Sequence, residues 1–322
     1  MDANAGTETL LEAVRYFADK DRALAFMVNV RWPKGDVICP TCGSKEVSFL
    51  ASRRLWNCKT DHPKRQFSVK VGTIMEDSPI GLDKWLPAMW MLANCKNGIS
   101  SYELARALKI TQKSAWFMLQ RIRLSMQDPQ TGGKLGGTVE VDETYIGGNA
   151  RKMNRGRRKK AMRGKGSAYA TPRAIVLGML ERGGRVRLKH IKNTKRRTLL
   201  SEVVRQVEKG SIVNTDQLVQ YDGLIEPNYA HKVVNHSETY VDGNVHTQGI
   251  ENFWSLLKRA IRGTYVSVEP FHLFRYLDEQ AFRFNNRKDN DRGRFVEALR
   301  NIVGRRLTYQ HSIGADGALA TT

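Results

Sequence analysis

Apolar positions recur along the chain with two different periods, and the switches between them outline the elements. Leu10, Leu11, Val14, Phe17 and Ala18 lie at helical spacing, and Ala23, Leu24, Phe26 and Met27 resume it after Asp19-Lys20-Asp21, which predicts two short helices within residues 8 to 31. From Phe49 to Trp56 the chain is extended, aromatic and basic, and Gln66 to Thr73 reads as a strand closing beside it. Leu82, Trp85, Leu86, Met89, Trp90 and Ala93 then share one helix face. Ser100 and Glu103 have the spacing of a capping box for a helix through Leu108, and Thr111 can cap another from Gln112 to about Met126. Asp128 to Gly137 is rich in glycine and other breakers and marks a boundary.

Beyond that boundary the pattern alternates. In Thr138 to Gly148, Val139, Val141 and Tyr145 fall on one side of a strand while Glu140 and Asp142 fall on the other, so one face can bury and the opposite face carries carboxylates. Ala174 to Leu180 and Arg185 to Ile191 flank Gly183-Gly184 and predict a hairpin. A helix starting at Thr194 carries Leu199, Leu200, Val203, Val204 and Val207, and Gly210 to Asp216 is a short buried strand ending in an acid. A strand over His231 to Ser237 precedes the segment His246 to Arg262. There Ile250, Phe253, Trp254, Leu257 and Ile261 form an apolar stripe, and Glu251, Ser255, Lys258 and Arg262 share the other face. Phe271, Phe274, Leu277 and Phe282 mark a helix to about Asn286, and Phe295, Leu299 and Ile302 another; both are expected to cover the sheet. His311 to Thr322 is small and polar and is expected to stay disordered. The plan is therefore N-terminal helices over 1–34, a ribbon over 35–75, a helix-turn-helix over 80–127, an α/β domain over 137–290 and a C-terminal helix with a tail over 291–322.

Composition changes this picture mainly through charge. Fifty-three Lys and Arg against thirty-two Asp and Glu leave a net charge of +21, which favours a polyanionic partner, nucleic acid before anionic membrane. The longest apolar run, Trp85 to Cys95, is too short to span a bilayer, and the N-terminus lacks the features of a signal peptide, so a cytoplasmic location is expected. Asn149 to Arg173 holds ten Lys or Arg and no acid, with Arg157, Arg158, Lys159 and Lys160 at its centre. Such a loop cannot fold alone and is expected to order on nucleic-acid phosphates. If the two capped helices form a helix-turn-helix, Gln112, Lys113, Ser114, Phe117, Gln120 and Arg121 face the groove, with Ala115, Leu119 and Ile122 inward. A plain helical bundle fits the same pattern; the basic charge and the adjacent ribbon favour the first reading.

Two groups of residues carry candidate chemistry. Cys39-Pro40-Thr41-Cys42-Gly43 is a metal knuckle whose two thiolates can reach one ion, and Cys58 supplies a third ligand after a hairpin-length interval. His62 is the candidate fourth ligand, whereas Cys95, inside a helical pattern, reads as core. The second group is acidic: Asp142 on the first strand, Asp216 at a strand end and Glu251 in the first turn of a helix. Asp222 rivals Asp216, which is preferred because a strand end places a side chain more firmly than a loop. Glu251 alone also suits the positive end of its helix.

Three strands, a helix and a fourth strand match the order of the ribonuclease H-like fold, where the first strand and the end of the fourth are adjacent. The chain resembles bacterial insertion-sequence transposases of the DDE class with an N-terminal zinc ribbon. The resemblance rests on Cys39-Pro40-Thr41-Cys42-Gly43, Val141-Asp142-Glu143-Thr144-Tyr145, Thr215-Asp216 and Gly249-Ile250-Glu251-Asn252-Phe253-Trp254-Ser255-Leu256-Leu257-Lys258-Arg259, and it covers Arg31 to about Asn285. It implies an α/β ribonuclease H-like catalytic domain, preceded by a zinc ribbon and a helix-turn-helix. It also implies that Asp142, Asp216 and Glu251 are catalytic and hold Mg²⁺ or Mn²⁺, and that Lys258, with Arg262 one turn on, contacts the DNA end. Cys39, Cys42, Cys58 and His62 would hold Zn²⁺, although the family's second ligand pair is usually two cysteines, so Cys58 with His62 is a departure. The implied activity is two-metal-ion cleavage of DNA 3′ ends and strand transfer. The implied partners are double-stranded transposon ends and target DNA, bound by a homodimer or larger assembly. A noncatalytic DNA-binding regulator and a ribonuclease H-like nuclease without joining activity are the alternatives.

Overall fold

Helix starts follow their caps closely. In the computed structural model, which describes residues 7–128, 133–147, 174–216, 228–234, 246–266 and 268–313, the helices are α1 (Leu10–Ala18), α2 (Lys20–Arg31), α3 (Leu82–Asn94), α4 (Ser101–Leu108), α5 (Gln112–Ser125), α6 (Arg196–Gln206), α7 (Gln248–Arg259), α8 (Leu273–Asn285), α9 (Asp291–Arg300) and α10 (Tyr309–Ser312). The strands are β1 (Val47–Leu50), β2 (Leu55–Cys58), β3 (Gln66–Phe67), β4 (Thr138–Ile146), β5 (Ala174–Glu181), β6 (Val186–Ile191), β7 (Ile212–Asp216) and β8 (Ala230–Val234). Thr9 with Glu12 and Ser100 with Glu103 form reciprocal capping boxes, and Asp19 and Thr111 cap α2 and α5. Between α4 and α5 the turn is made by Lys109, held in the left-handed region at φ 50°.

The chain divides into two compact units, Met1–Gln127 with Asn286–Thr322, and Asp128–Asn285. In the first, β1, β2 and β3 form an antiparallel sheet in that order, with Leu50 opposite Leu55 across the hairpin. The strand expected through Thr73 ends after Phe67, because the Lys70 N–H turns back to the Ser68 hydroxyl at 3.3 Å and the Thr73 N–H to the Lys70 carbonyl at 3.1 Å. The C-terminal helix α9 does not cover the α/β sheet as the pattern suggested. Phe295 instead completes an aromatic core with Trp90 at 5.0 Å and Phe26 at 6.0 Å between ring centroids. A periodic apolar stripe specifies that a helix buries one face, not which element it buries it against. Tyr309 to Ser312 form α10, which takes in His311 and Ser312 from the segment expected to be disordered, and Leu307 just before it is buried.

The second unit has one five-stranded sheet, ordered β6-β5-β4-β7-β8. β4, β5 and β6 are antiparallel, and β7 and β8 continue outward from β4 in parallel. Both faces are covered. Val139, Val141, Met179 and Val213 pack against Leu199 and Val203 of α6, while Ile146, Val176 and Leu180 pack against Ile250, Phe253, Trp254 and Leu257 of α7 and Leu277 of α8. The second face is the one expected to carry carboxylates. Glu140 on it is only 1% exposed, whereas Tyr145, expected in the core, is 52% exposed. The boundary segment is also less open than its composition implies. Leu135 is fully buried and exchanges backbone bonds with α6, through the Gln206 carbonyl and the Glu208 N–H, both at 2.8 Å. α6 begins at Arg196 rather than Thr194, since the Asn193 side chain accepts from the Lys195 N–H and the Thr198 hydroxyl. Asp222 and the basic loop 149–173, with Arg157, Arg158, Lys159 and Lys160, lie outside the described residues. Among the described residues no helix is long and apolar enough to cross a membrane.

Phe295 reports on whether α9 completes the first unit. Phe295→Ala should destabilise it by about 3–5 kcal/mol through loss of a buried ring. Chemical denaturation followed by tryptophan fluorescence measures this, and an unchanged midpoint would remove α9 from that core.

Candidate active site and metal knuckle

The knuckle is built on a turn and a strand end. Gly43 takes φ 75° and its N–H returns to the Cys39 carbonyl at 2.9 Å, which brings Cys42 back beside Cys39. Cys58 closes β2 and His62 follows in the loop before β3. Cys42 Sγ lies 3.6 Å from Cys58 Sγ, and Cys39 Sγ 3.5 Å from His62 Nε2. The ligand atoms of all four residues fall within 4.8 Å of one another. His62 Nδ1 lies 2.8 Å from the Pro63 carbonyl, a partner that only an N–H can satisfy, so Nε2 is the nitrogen left with a lone pair for the thiolates' side. Three soft thiolates and an imidazole at this separation suit tetrahedral Zn²⁺.

Asp142 lies on β4, Asp216 ends β7 and Glu251 lies in the first turn of α7. β4 and β7 are parallel neighbours, so the carboxyl end of β7 opens beside Asp142. Burial raises the Asp142 carboxyl above the usual carboxylate range. The negative charges of Asp216 and Glu251 push the same way, while hydrogen bonds from Trp254 and the Glu143 N–H oppose it. The three acids therefore sit in one another's field. Their oxygens are not drawn together as tightly as the knuckle ligands, the only such close group among the described residues.

Two contacts fix Asp142 relative to α7. Trp254 Nε1 donates to Asp142 Oδ2 at 2.8 Å, and the Glu143 N–H donates to Oδ1, also at 2.8 Å. The indole can lie there because Gly178 faces Asp142 across the β4–β5 pair; a Cβ at Gly178 would stand 2.5 Å from the ring. Farther back, buried Glu140 accepts the Ile250 N–H of α7 at 2.9 Å and the Arg182 side chain at 3.1 Å.

Asp142, Glu143, Thr144, Glu251, Trp254, Ser255, Lys258, Arg259 and Arg262 line one cleft of about 580 Å³. Carboxylates and three cations line it together, with Glu251 in the first turn of α7 and Lys258 and Arg259 in its last. α7 runs on into a π-helical turn, Ala260–Tyr265, which carries Arg262. Arg259 was not among the residues read from the sequence as facing this side, because strict helical spacing rotates it away from Glu251 and Lys258. Nor were Glu140, Gly178, Arg182 or Trp254 singled out as parts of the site. A glycine inside the apolar run of β5 was the available signal for Gly178.

In the first unit, Lys113 is exposed while Gln112 and Ser114 are half-buried at the start of α5. The outward face expected to continue through Gln120 and Arg121 does not. Gln120 is fully buried, and the Arg121 guanidinium donates to the Leu307 carbonyl at 3.1 Å and the Glu76 carbonyl at 2.8 Å. Tyr309 of α10 packs on Phe117 at 5.6 Å between centroids and lies beneath the Lys113 ammonium.

Residues 134–285 match the family described as the ISXO2-like transposase domain, and residues 18–60 match the transposase zinc-ribbon domain. A Halobacterium salinarum protein described as an uncharacterized protein in transposable element ISH50 is 28% identical over 303 residues, 90% of this chain and 98% of its own length. An uncharacterized transposase-like protein of Haemophilus influenzae is 33% identical over 96 residues, 30% of this chain and 77% of its own length. No solved structure matches.

The purified chain should carry zinc, and replacement by Co²⁺ should produce the intense visible bands of a tetrahedral thiolate site. His62→Ala should weaken zinc binding by about 10-fold or more, read by competition with a chromophoric chelator. Unaltered affinity would exclude His62 as a ligand.

Proposed function

We infer that this chain, which belongs to the insertion-sequence transposases carrying an ISXO2-like domain behind a zinc ribbon, cleaves DNA at the 3′ ends of its own element and joins them to target DNA. The observation that carries this reading is one cleft lined by Asp142 and Glu251 together with Lys258, Arg259 and Arg262. A strand order with β4 central, the antiparallel run β4-β5-β6 on one side and the parallel run β4-β7-β8 on the other agrees with a ribonuclease H-like domain. The half-buried Asp142 and the two like charges beside it, Asp216 and Glu251, form a donor set of hard oxygens, which fits Mg²⁺ or Mn²⁺.

Asp142, Asp216 and Glu251 would hold the ions. Bound divalent ions would supply acidity to the attacking oxygen and neutralise charge at the leaving oxygen. The protein's own contribution is positional. The indole of Trp254 covers Asp142 and holds one of its oxygens by a hydrogen bond, so the carboxylate keeps one orientation. Lys258, Arg259 and Arg262 bind phosphates along the strand that leads into the cleft. Their positive charge favours a polyanion, while the acids repel one unless cations intervene.

End recognition is assigned to the zinc ribbon and the α4–α5 pair. Gln112, Lys113 and Ser114, at the start of α5, are placed as the first residues of a recognition helix would be. Arg121 is withdrawn from that role by its burial. The basic loop with Arg157, Arg158, Lys159 and Lys160 is assigned nonspecific phosphate contacts, and pairing of two ends calls for at least two copies of the chain.

Incubating the protein with DNA bearing the flanks of its own gene, a plasmid target and Mg²⁺ tests the activity. Wild type should yield nicked 3′ ends and joined product on a sequencing gel, and Asp142→Asn, Asp216→Asn and Glu251→Gln should each fall to background. Cleavage without joining would leave only a nuclease, and tight binding with neither product a regulator. Without DNA, Mn²⁺ should raise the melting temperature of wild type more than that of Asp142→Asn. Equal shifts would argue against a shared metal site.

A further inference from the structure

The start of α7 has an exchanged cap. Thr247 stands at the N-cap, where a threonine hydroxyl normally accepts the N–H of the second or third helical residue. Here it makes no such bond; the hydroxyl donates to Glu251 Oε1 at 2.9 Å. The N–H of Ile250, the third residue of the helix, goes instead to Glu140 Oε2 at 2.9 Å, across from β4. The other oxygen of Glu140 accepts Arg182 Nε at 3.1 Å and lies 3.4 Å from His246 Nδ1. The same guanidinium donates to the His246 carbonyl at 3.0 Å, which anchors the residue just before the N-cap.

A carboxylate only 1% exposed is strongly disfavoured unless it is fully engaged. The positive end of α7 and the Arg182 guanidinium supply that engagement. Gly249 makes the approach possible, because a Cβ there would stand 2.7 Å from both Glu140 Oε2 and Leu180 Cδ2. Thr247 itself, at φ −115° and ψ 17°, lies outside the extended conformation of a capping residue, so the bond to the Ile250 N–H falls to Glu140.

We propose that Glu140 is a positioning residue for the reaction: by capping α7 from the strand that bears Asp142, it frees the Thr247 hydroxyl to orient Glu251 toward the metal-holding cluster. Glu140 is two residues from Asp142 on one strand, about 7 Å along it. Its helix partner Ile250 immediately precedes Glu251. One buried group thus references both acids to a common point. The proposal rests on the reading of Asp142, Asp216 and Glu251 as metal ligands.

Glu140→Gln keeps the side-chain size but removes the charge, and Thr247→Val removes only the hydroxyl. The full-length chain of each variant is titrated with Mn²⁺ in the absence of DNA, with free Mn²⁺ read by electron paramagnetic resonance. Each substitution should weaken Mn²⁺ binding about 10- to 100-fold, and neither should add to the loss already caused by Glu251→Gln. In the metal-free protein, amide hydrogen exchange at Ile250 should accelerate in Glu140→Gln but not in Thr247→Val. Wild-type affinity in both variants, or losses that add fully to that of Glu251→Gln, would overturn the positioning role while leaving the metal reading intact. Should Glu140→Gln fail to fold, Thr247→Val decides alone, and undiminished affinity there overturns the proposal. Wild type that binds no Mn²⁺ overturns the metal reading and the proposal with it.

Discussion

The acid cleft depends on how closely α7 can lie against the sheet. Gly178 and Gly249 are the two points of contact where a side chain would intervene, the first beneath the Trp254 ring and the second beside Glu140 and Leu180. Burying an indole is worth up to roughly 4–6 kcal/mol from its area, against about 1.5–3 kcal/mol for a hydrogen bond to a charged acceptor. Packing therefore holds the helix down, and the bond from Trp254 to Asp142 sets its rotation. Both effects act on a residue three positions from Glu251, so the spacing of the two acids is decided by the core beneath them.

Electrostatics sets the opposite requirement. The chain carries a net charge of +21, yet its cleft gathers acids, and burial with neighbouring charge holds Asp142 above the usual carboxylate range. Such acids repel a polyanion unless cations lie between them. Lys258, Arg259 and Arg262 supply fixed cations in the cleft, and its carboxylates are suited to mobile ones. The knuckle differs in kind. Its soft donors close around one position with no side left for substrate, the arrangement of a structural metal.

The first unit shows how tertiary packing can ignore chain order. Phe295 and Leu307 come from the end of the chain but bury among elements from its beginning, and the Ile74 N–H pairs with the Ile302 carbonyl at 3.2 Å. The same packing buries most of the second half of α5 and leaves Lys113 in its first turn exposed.

Much of the fold and of the candidate site was legible locally. The capping box at Ser100, the cap at Thr111, the Gly183-Gly184 hairpin and the stripe of α7 each depend on residues close in sequence, and each forms as its pattern implies. The ligand residues of the knuckle are likewise within a short span and were readable as one group. What the pattern could not carry was contact between distant elements. The alternation that separates Val139 from Glu140 assigns them opposite faces, but whether the second face meets water or α7 depends on a helix more than one hundred residues later, and α7 covers it. An amphipathic stripe likewise left the partner of α9 open, and helical spacing did not anticipate Arg259 in the cleft. Sequence alone determined which residues could bury, cap or ligate, because those are properties of side-chain type and local spacing. Only the tertiary structure decided that Glu140, Gly178 and Trp254 meet where β4 and α7 pack, because such contacts exist only where two surfaces close to within a few ångströms.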